Sequence, residues 1–394
     1  MSYEQLSLDL NQLTTTDLLN EIRSGRAEIK TDEIDITISE LVNMYSNREV
    51  LDIHPEFQRL FRWSSSQKSK LIESILLGIP IPPLFVAEDD TSAWDVIDGV
   101  QRLSTIFEFL GVLKDDQNEL VEPSYLVGTE KLPALEGKVW DNSVIGQEHR
   151  FSFGDGVGLQ NKFLYSKLKL IRVSNDSNPN AKYDIFDRLN TGGSKLRPQE
   201  IRNCLAIMVN RDFYTWMRKL SQELDFQDSI PFSEKGLNEQ VDLEYVLRFI
   251  TYRHISRHQL GSNEDIHDVL TRELRRYCLS DEVNLDKEEE VFKKTFRLLS
   301  ESLGENSIKK FHSDEERFKG QPMLSSFEIV AIGVANNIDY ISNLPNPQAF
   351  IAEKVKNLYD SKEYIDAQNR KIISGRAVTR FLYLTKLGTE YFSK

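Results

Sequence analysis

One stretch of the chain carries a strand pattern through a single glycine into a helix pattern: Trp94-Asp95-Val96-Ile97-Asp98-Gly99-Val100-Gln101-Arg102-Leu103-Ser104-Thr105-Ile106. Apolar residues ahead of the glycine predict a short strand, and the apolar spacing after it predicts an amphipathic helix. The first turn of such a helix has backbone N–H groups without intrahelical partners, and the helix dipole attracts anions to that end. Gln101 and Arg102 fall in this first turn. We therefore expect the chemistry of the protein at this junction.

Length and composition favour a globular chain of about two domains. The chain has 394 residues, of which 40% are hydrophobic, and no window approaches the run of about 18 apolar residues that a membrane span needs. Its first residues lack the basic start and apolar run of a secretory signal. We therefore predict a cytoplasmic protein without a membrane partner.

Charge and cysteine content further narrow the functional classes that the chain can belong to. The formal net charge of -13 disfavours nucleic-acid binding over the whole surface, so any DNA contact requires a local basic patch. Cys204 and Cys278 lie far apart and have no CxxC partner, which favours neither a zinc site nor a disulfide framework. No metal-ligand set is predicted from the sequence.

Periodicity predicts a mixed first half and a helical second half. A polar arm spans residues 1–33, with a short helix near 16–23. A domain over residues 34–205 contains strands at 34–38, 84–87, 94–97 and 167–173, helices at 39–45, 67–77, 101–113 and 181–189, a helix that begins near Pro198, and a loop-rich insertion at about 115–160. Beyond Arg202 only helical periodicity remains, so residues 206–394 are predicted to form an all-helical domain. The fold class expected is therefore α+β.

The junction itself suggests phosphate binding. Gly99 allows the backbone to approach a phosphate, and the guanidinium of Arg102 can hold phosphate oxygens in a bidentate manner. Asp98 would either bind a metal ion or orient Arg102. The alternative is a structural strand–turn–helix corner with a surface arginine.

Two further sequence blocks carry side chains suited to contact a nucleotide. Residues 57–63, Phe-Gln-Arg-Leu-Phe-Arg-Trp, supply cations and aromatic rings that either contact a nucleotide or DNA or anchor the core. Residues 186–193 end in Asn190-Thr191-Gly192-Gly193, where Asn190 and Thr191 either close over a nucleotide or form a plain helix C-cap. Glu200 and Arg202 are expected to form a local ion pair that holds this loop.

Other charged groups give weaker indications. His254 and His258 have the spacing of two ligands on a helix, but a surface helix is the better interpretation. The basic residues of the second half form either a DNA-facing patch or a solvated face with neighbouring acids: Arg272, Arg275, Arg276, Lys309 and Lys310. No Walker lysine motif and no nucleophile elbow is present in the sequence.

Four blocks together resemble a known family. They are residues 57–63, residues 71–83 with the sequence Leu-Ile-Glu-Ser-Ile-Leu-Leu-Gly-Ile-Pro-Ile-Pro-Pro, residues 96–105, and residues 186–203. Their order and spacing resemble the N-terminal domain of GmrSD type IV restriction enzymes. This resemblance implies a ParB/sulfiredoxin-like fold with a small mixed sheet.

The resemblance also implies a function. It suggests a nucleotide-binding, NTP-hydrolysing component of an anti-phage defence or DNA restriction system, in which Asp98, Gln101 and Arg102 are catalytic and Gly99 binds phosphate. The nucleotide-binding residues expected elsewhere are Gln58, Arg59, Arg62, Asn190 and Thr191. Valine at position 100 replaces the first glutamine of the family's Asp-Gly-Gln-Gln-Arg motif, which weakens the case for hydrolysis more than for binding.

Cofactors and partners follow from the same resemblance. The cofactor expected is a nucleoside triphosphate, with Mg²⁺ left open. The helical half lacks a His-Asn-His nuclease block, so the partners expected are DNA, including modified phage DNA, and a separate nuclease. The alternative function is a non-catalytic sensor of nucleotide or modified DNA that recruits that nuclease.

Overall fold

A computed structural model of the chain describes residues 15–28, 30–46, 50–53, 63–88, 91–115, 117–140, 158–174, 198–255, 258, 260–261, 264–280 and 282–393. The chain forms two compact units, Met1–Lys195 and Leu196–Lys394. The first is built around a mixed sheet and the second mainly from helices, which confirms the α+β class. The ParB/sulfiredoxin-like fold and the domain bounds proposed above stay predictions.

The described part of the first unit contains five helices and five strands. In chain order they are α1 (Thr15–Glu28), β1 (Thr31–Thr37), α2 (Ile38–Ser46), β2 (Leu51–Asp52), α3 (Ser65–Leu77), β3 (Leu84–Glu88), β4 (Trp94–Asp98), α4 (Val100–Phe109), α5 (Gly158–Leu164) and β5 (Lys167–Val173). The predicted strand at 167–173 is confirmed. The predicted helix at 181–189 and the Asn190–Gly193 turn lie outside the described residues.

The sheet of the first unit has the strand order β1-β5-β3-β4-β2. β1 pairs with β5 and β3 with β4 in the antiparallel sense, while β5 with β3 and β2 with β4 are parallel. The predicted β3–β4 hairpin is therefore confirmed, and it delivers the end of β4 to the start of α4. The two-residue strand β2 was not predicted, because so short a segment shows no alternation of apolar and polar residues.

The capping residues of helix α3 explain why its own boundaries were predicted nearly correctly. Ser64 and Gln67 form a capping box at its start, and Gly78 adopts the left-handed conformation at its end, with a φ of 69°. Helix α4 was predicted to reach residue 113 but ends at Phe109. Gly111 follows with a φ of 72°, and this left-handed residue ends the helix.

The described part of the loop-rich segment is held to the helices by polar and aromatic contacts. The backbone N–H of Lys114 donates to the Tyr45 hydroxyl at 2.9 Å, and the N–H of Val127 donates to the buried Ser69 hydroxyl at 2.9 Å. The rings of Phe109 and Trp140 lie 5.7 Å apart between centroids. Residues 117–140 are thus an irregular but well-packed cover on α3 and α4.

The second unit consists of helices and one hairpin. Its elements are α6 (Pro198–Val209), α7 (Arg211–Ser221), α8 (Leu224–Ser229), α9 (Glu234–Asn238), α10 (Val241–His254), α11 (Ile266–Leu279), α12 (Leu285–Leu303), β6 (Lys310–His312), β7 (Arg317–Lys319), α13 (Leu324–Ser326), α14 (Ile332–Asn336), α15 (Ile338–Ser342), α16 (Pro347–Leu358), α17 (Lys362–Asn369) and α18 (Ala377–Tyr391). A π-helical turn, Phe327–Ala331, joins α13 to α14.

The β6–β7 hairpin corrects the prediction of an all-helical second half. Each strand has three residues, which is too short for alternation to reveal it, and the pair is stabilised by Phe311 and Phe318 facing each other at 5.0 Å. The core of this unit combines aliphatic side chains with an aromatic cluster, in which Phe226 and Phe296 lie 4.8 Å apart and Phe249 and Phe292 5.1 Å apart between ring centroids. In the described ranges no helix combines the length and apolar character needed to cross a membrane.

Candidate functional site

The junction between β4 and α4 requires glycine for two separate reasons. Gly99 has a φ of 103°, in the left-handed region that side chains disfavour. A Cβ atom added to Gly99 would also overlap with Cδ2 of Leu84 on the neighbouring strand. Gly99 therefore lets the chain turn sharply from the strand into the helix while the hairpin stays closed.

The start of α4 presents backbone donors. Gly99 is the N-cap of α4 and makes no side-chain cap, and the first intrahelical bond runs from the N–H of Leu103 to the carbonyl of Gly99 at 2.9 Å. The N–H groups ahead of Leu103 belong to the first turn, where a helix offers its amides and the positive end of its dipole to anions. This geometry agrees with the phosphate-binding interpretation of the junction.

Arg102 is held by protein oxygens. Its Nη2 lies 2.5 Å from Oδ2 of Asp98, and its Nη1 donates to the carbonyl of Pro82 and, at 3.1 Å, to that of Pro83. The side chain is 12% exposed. Burial lowers the pKa of Arg102, while the charge and hydrogen bond of Asp98 oppose that shift, and an arginine remains protonated in either case. Asp98 thus orients Arg102, as one of the two sequence interpretations proposed.

The proline segment at residues 79–83 explains these carbonyl contacts. Prolines lack an N–H and keep the preceding residue extended, so the carbonyls of this segment must find donors elsewhere. Arg102 supplies a donor to two of them and so ties the segment to α4. This bracing role of Arg102 was not predicted, because its partners lie 20 and 19 positions away and the proline run alone does not identify the donor.

Gln101 connects the junction to the aromatic and basic block. Its Oε1 accepts a hydrogen bond from the backbone N–H of Trp63 at 3.3 Å. The end of the block therefore lies beside the first turn of α4, although 38 positions separate the two residues in the sequence. The other predicted residues of the block, Gln58, Arg59 and Arg62, lie outside the described residues.

Val100 begins α4, and its side chain is 8% exposed and belongs to the apolar core of the first unit. This position therefore accommodates an apolar residue. The expectation that valine here weakens the case for hydrolysis stays a prediction.

The last sequence block contributes a buried network in the second unit. Asn190 and Thr191 lie outside the described residues, as does the side chain of Glu200. Arg202 pairs with Glu244 on α10, with Nη2 and Oε2 2.5 Å apart, and its Nε donates to Gln199 at 2.8 Å. The expected ion pair of Arg202 with Glu200 therefore stays a prediction, and the contact with Glu244 lies 42 positions away, which local spacing does not reveal.

The charges in this network affect the pKa of its carboxyl group. Burial raises the pKa of Glu244, but the charges of Arg248 and Arg202 outweigh it and leave this pKa below its ordinary value. Asn203 on α6 donates to the side chain of Gln240, which begins α10 with a φ of 57°. The face of α6 that carries Gln199, Arg202 and Asn203 is thus used for packing onto α10.

Three of the remaining basic candidates pair with neighbouring acids. Arg272 contacts Glu264 and Glu273, Arg276 contacts Glu273 and Glu282, and Lys309 contacts Glu305 at 3.2 Å. These pairs favour the solvated-face interpretation of the basic residues. His254 lies 3.0 Å from Glu288, and the described residues contain no group of three or more His, Cys, Asp and Glu side chains placed to hold a metal.

Comparison with known proteins gives one match. Residues 38–207 match the family model described as GmrSD restriction endonuclease, N-terminal domain, which confirms the resemblance drawn from the four blocks. No curated protein and no solved structure matches the chain. The matched range contains the junction, the proline segment and most of α6.

Proposed function

We propose that the chain is a nucleotide-binding and NTP-hydrolysing component of a restriction or defence system, because residues 38–207 match the family model of GmrSD restriction endonuclease N-terminal domains. One observation carries this proposal. Gly99 turns β4 into α4 so that the helix amides, the Gln101 side chain and the Asp98–Arg102 pair lie at one corner of the first unit.

Nucleotide binding would depend on backbone N–H groups and on an arginine side chain together. The amides of the first turn of α4 would donate to phosphate oxygens, and Arg102 would add charge-assisted hydrogen bonds. Arg59 and Arg62 precede Trp63, whose N–H donates to Gln101, so we propose that these two cations and the Gln58 amide extend the site. Asn190 and Thr191 are proposed as further nucleotide contacts.

Hydrolysis would depend on positioning and charge stabilisation. Phosphoryl transfer needs groups that stabilise charge on the transferred phosphate, and Arg102 is the described cation at the junction that can do so. Asp98 offers a single carboxylate, which suits Mg²⁺ carried by a triphosphate rather than an ion held by protein ligands alone. Mg²⁺ there would neutralise phosphate charge.

The hydrogen bonds of Arg102 favour a second candidate function. Its guanidinium already donates to two carbonyls and a carboxylate, and a phosphate would have to share or replace these acceptors. A nucleotide sensor that holds the phosphate through the α4 amides alone, without turnover, needs no such exchange. In either case we propose that DNA, including modified phage DNA, is the target and that a separate nuclease cuts it.

Phosphate release and calorimetric binding of each NTP to the purified chain separate these functions. Arg102→Lys keeps the charge but loses the forked donors, so we expect phosphate release to fall by about 10²-fold or more if Arg102 acts on the transferred group. Arg172→Lys is the matched control, because Arg172 is also ion-paired, with Asp32 at 2.7 Å, but lies on β5. Thermal unfolding of both variants checks that each is folded.

Each result has one interpretation. Release by the wild type that is lost only in Arg102→Lys supports the hydrolase. Binding without release supports the sensor, and release equally unaffected by both substitutions contradicts the assignment of the site. Absence of both binding and release for every NTP contradicts the proposal as a whole.

A further inference from the structure

A large groove lies on the second unit, lined mainly by α17 and α18. It has a volume of about 1700 Å³, and Tyr252 of α10 and Lys354 of α16 complete its wall. Sites for small molecules usually enclose about 300–1,000 Å³. The α17–α18 groove is therefore larger than a metabolite needs and suits an extended ligand.

The lining of this groove is slightly basic within an acidic chain, with four bases, Lys354, Lys362, Arg370 and Lys386, and three acids, Glu363, Asp366 and Glu390. Residues 367–389 include five bases and no acid, within a chain of formal net charge -13. Arg380 is turned inward, where it donates to Glu328 at 2.9 and 3.0 Å. The other bases of this run lie on the surface: Arg370, Lys371, Arg376 and Lys386. This is the local basic patch that an acidic chain requires for contact with a polyanion.

Carboxylates in the groove do not cancel this patch. Asp366 lies 3.4 Å from Arg370 and Glu390 lies 3.8 Å from Lys386, and all four side chains are more than half exposed. Such surface pairs hold their partners weakly, so phosphates can take the place of the carboxylates. Glu363 also lines the groove as a third acid, which a polyanion would have to avoid or screen.

Aromatic rings lie among these cations. The guanidinium carbon of Arg370 lies 5.6 Å from the ring centroid of Tyr383, which lines the groove. On the same wall Lys354 lies 4.8 Å from the ring centroid of Tyr391. Alternation of cations and rings is how proteins bind single-stranded nucleic acid, since phosphates contact the cations and bases stack on the rings.

We propose that the α17–α18 groove binds single-stranded nucleic acid. Arg370, Lys371 and Lys386 contact the phosphodiester backbone, and a base stacks on Tyr383 in the place that the Arg370 guanidinium occupies. A duplex fits the observations less well, because its bases are already stacked on one another. This site lies in the second unit and does not depend on nucleotide hydrolysis at the junction.

Fluorescence anisotropy of the full chain with a short labelled single strand, without nucleotide, tests the proposal. The double variant Arg370→Glu with Lys386→Glu should bind at least tenfold more weakly. The slope of log affinity against log salt should fall by about 1.4, since each lost phosphate contact removes about 0.7. Lys294→Glu with Arg297→Glu is the matched control, because it makes the same charge change on exposed residues of α12. Equal loss in both variants, or loss in neither, overturns the proposal.

Two further measurements test the class of ligand. Tyr383→Leu keeps an apolar side chain but removes the ring, and we expect it to weaken binding by about tenfold if a base stacks there. Unchanged affinity in this variant overturns the stacking contact. Heparin is a polyanion without bases, so competition by heparin as effective as that by unlabelled strand overturns the nucleic-acid assignment, as does tighter binding of the duplex. DNA and RNA strands of one sequence are compared directly, and binding of either supports the assignment of the groove as a nucleic-acid site.

Discussion

Two arginines of the matched region, Arg102 and Arg202, have different surroundings. Arg102 is 12% exposed and donates to two proline carbonyls and to Asp98, whose own side chain is 36% exposed. Arg202 is 0% exposed and is held by Glu244 and Gln199. Both were predicted to lie near the nucleotide site, but they differ in burial and in their partners.

This difference indicates different roles. A partly exposed arginine with backbone acceptors can exchange one of these acceptors for a phosphate oxygen and keep a hydrogen-bonded partner. An arginine inside a closed network of charges cannot lose its partner without leaving a buried ion uncompensated. We therefore infer that Arg102 is available for ligand chemistry and that Arg202 stabilises the second unit.

Removal of the anion in the buried network gives the largest expected effect. Glu244→Gln leaves Arg202 and Arg248 without their shared carboxylate, and we expect the free energy of unfolding of the second unit to fall by about 3–5 kcal/mol. Urea unfolding followed by circular dichroism measures it. The matched control is Glu290→Gln, which breaks an exposed pair with Lys294 and should leave stability unchanged within error. Equal effects of the two substitutions would remove the contrast drawn above.

Acid titration extends the contrast to a second buried pair of the helical unit. Burial raises the pKa of Glu288, but hydrogen bonds from His254 and Arg253 outweigh it and lower this pKa to about 2. A carboxyl whose pKa is depressed on folding contributes stability above its unfolded pKa and loses it as the pH falls toward its folded pKa. Wild type should therefore lose roughly 2–3 kcal/mol from this group between about pH 4.5 and pH 2. Glu288→Gln should remove that part of the pH dependence. An unchanged slope of unfolding free energy against pH in this variant would contradict the lowered pKa of Glu288.

Alanine substitution at two left-handed glycines tests how tightly the junction is built. Gly78→Ala meets open space, so only its φ of 69° opposes the change, at about 1 kcal/mol. Gly99→Ala meets Leu84 as well, and we expect a loss of about 2–3 kcal/mol. Thermal unfolding of the two variants gives the difference. Equal losses would show that the hairpin yields at Leu84 and that the junction is less constrained than proposed.

Local patterns were sufficient to predict much of the fold from sequence. The capping serine of α3, the glycine at its end and the alternation in β5 are short-range signals, and each predicted its element. Three-residue strands such as β6 carry no such signal, and the end of α4 depended on the backbone conformation near Gly111. Boundaries were therefore predicted less well than the elements themselves.

The candidate site was predictable only in part, because its long-range contacts are not encoded by spacing. The strand–glycine–helix pattern identified the junction and its anion-attracting amides. Nothing local indicates that Arg102 bonds to Pro82 and Pro83, or that Arg202 finds Glu244 on another helix. The basic run at residues 367–389 is visible in the sequence, but its proposed role in binding depends on the α17–α18 groove, which the structure shows.

Val100→Gln gives the smallest expected effect and tests which side of the junction carries the chemistry. Val100 is buried in the core next to the half-buried Arg102, so a glutamine there buries an amide and should cost about 1–2 kcal/mol of unfolding free energy. Val112→Gln is the matched control at a half-buried valine, and it should cost less. If position 100 serves packing, Val100→Gln lowers the melting temperature and does not increase phosphate release. A gain in phosphate release at unchanged stability would instead show that the side chain at position 100 reaches the ligand, and the division between a core-facing Val100 and a ligand-facing Arg102 would be wrong.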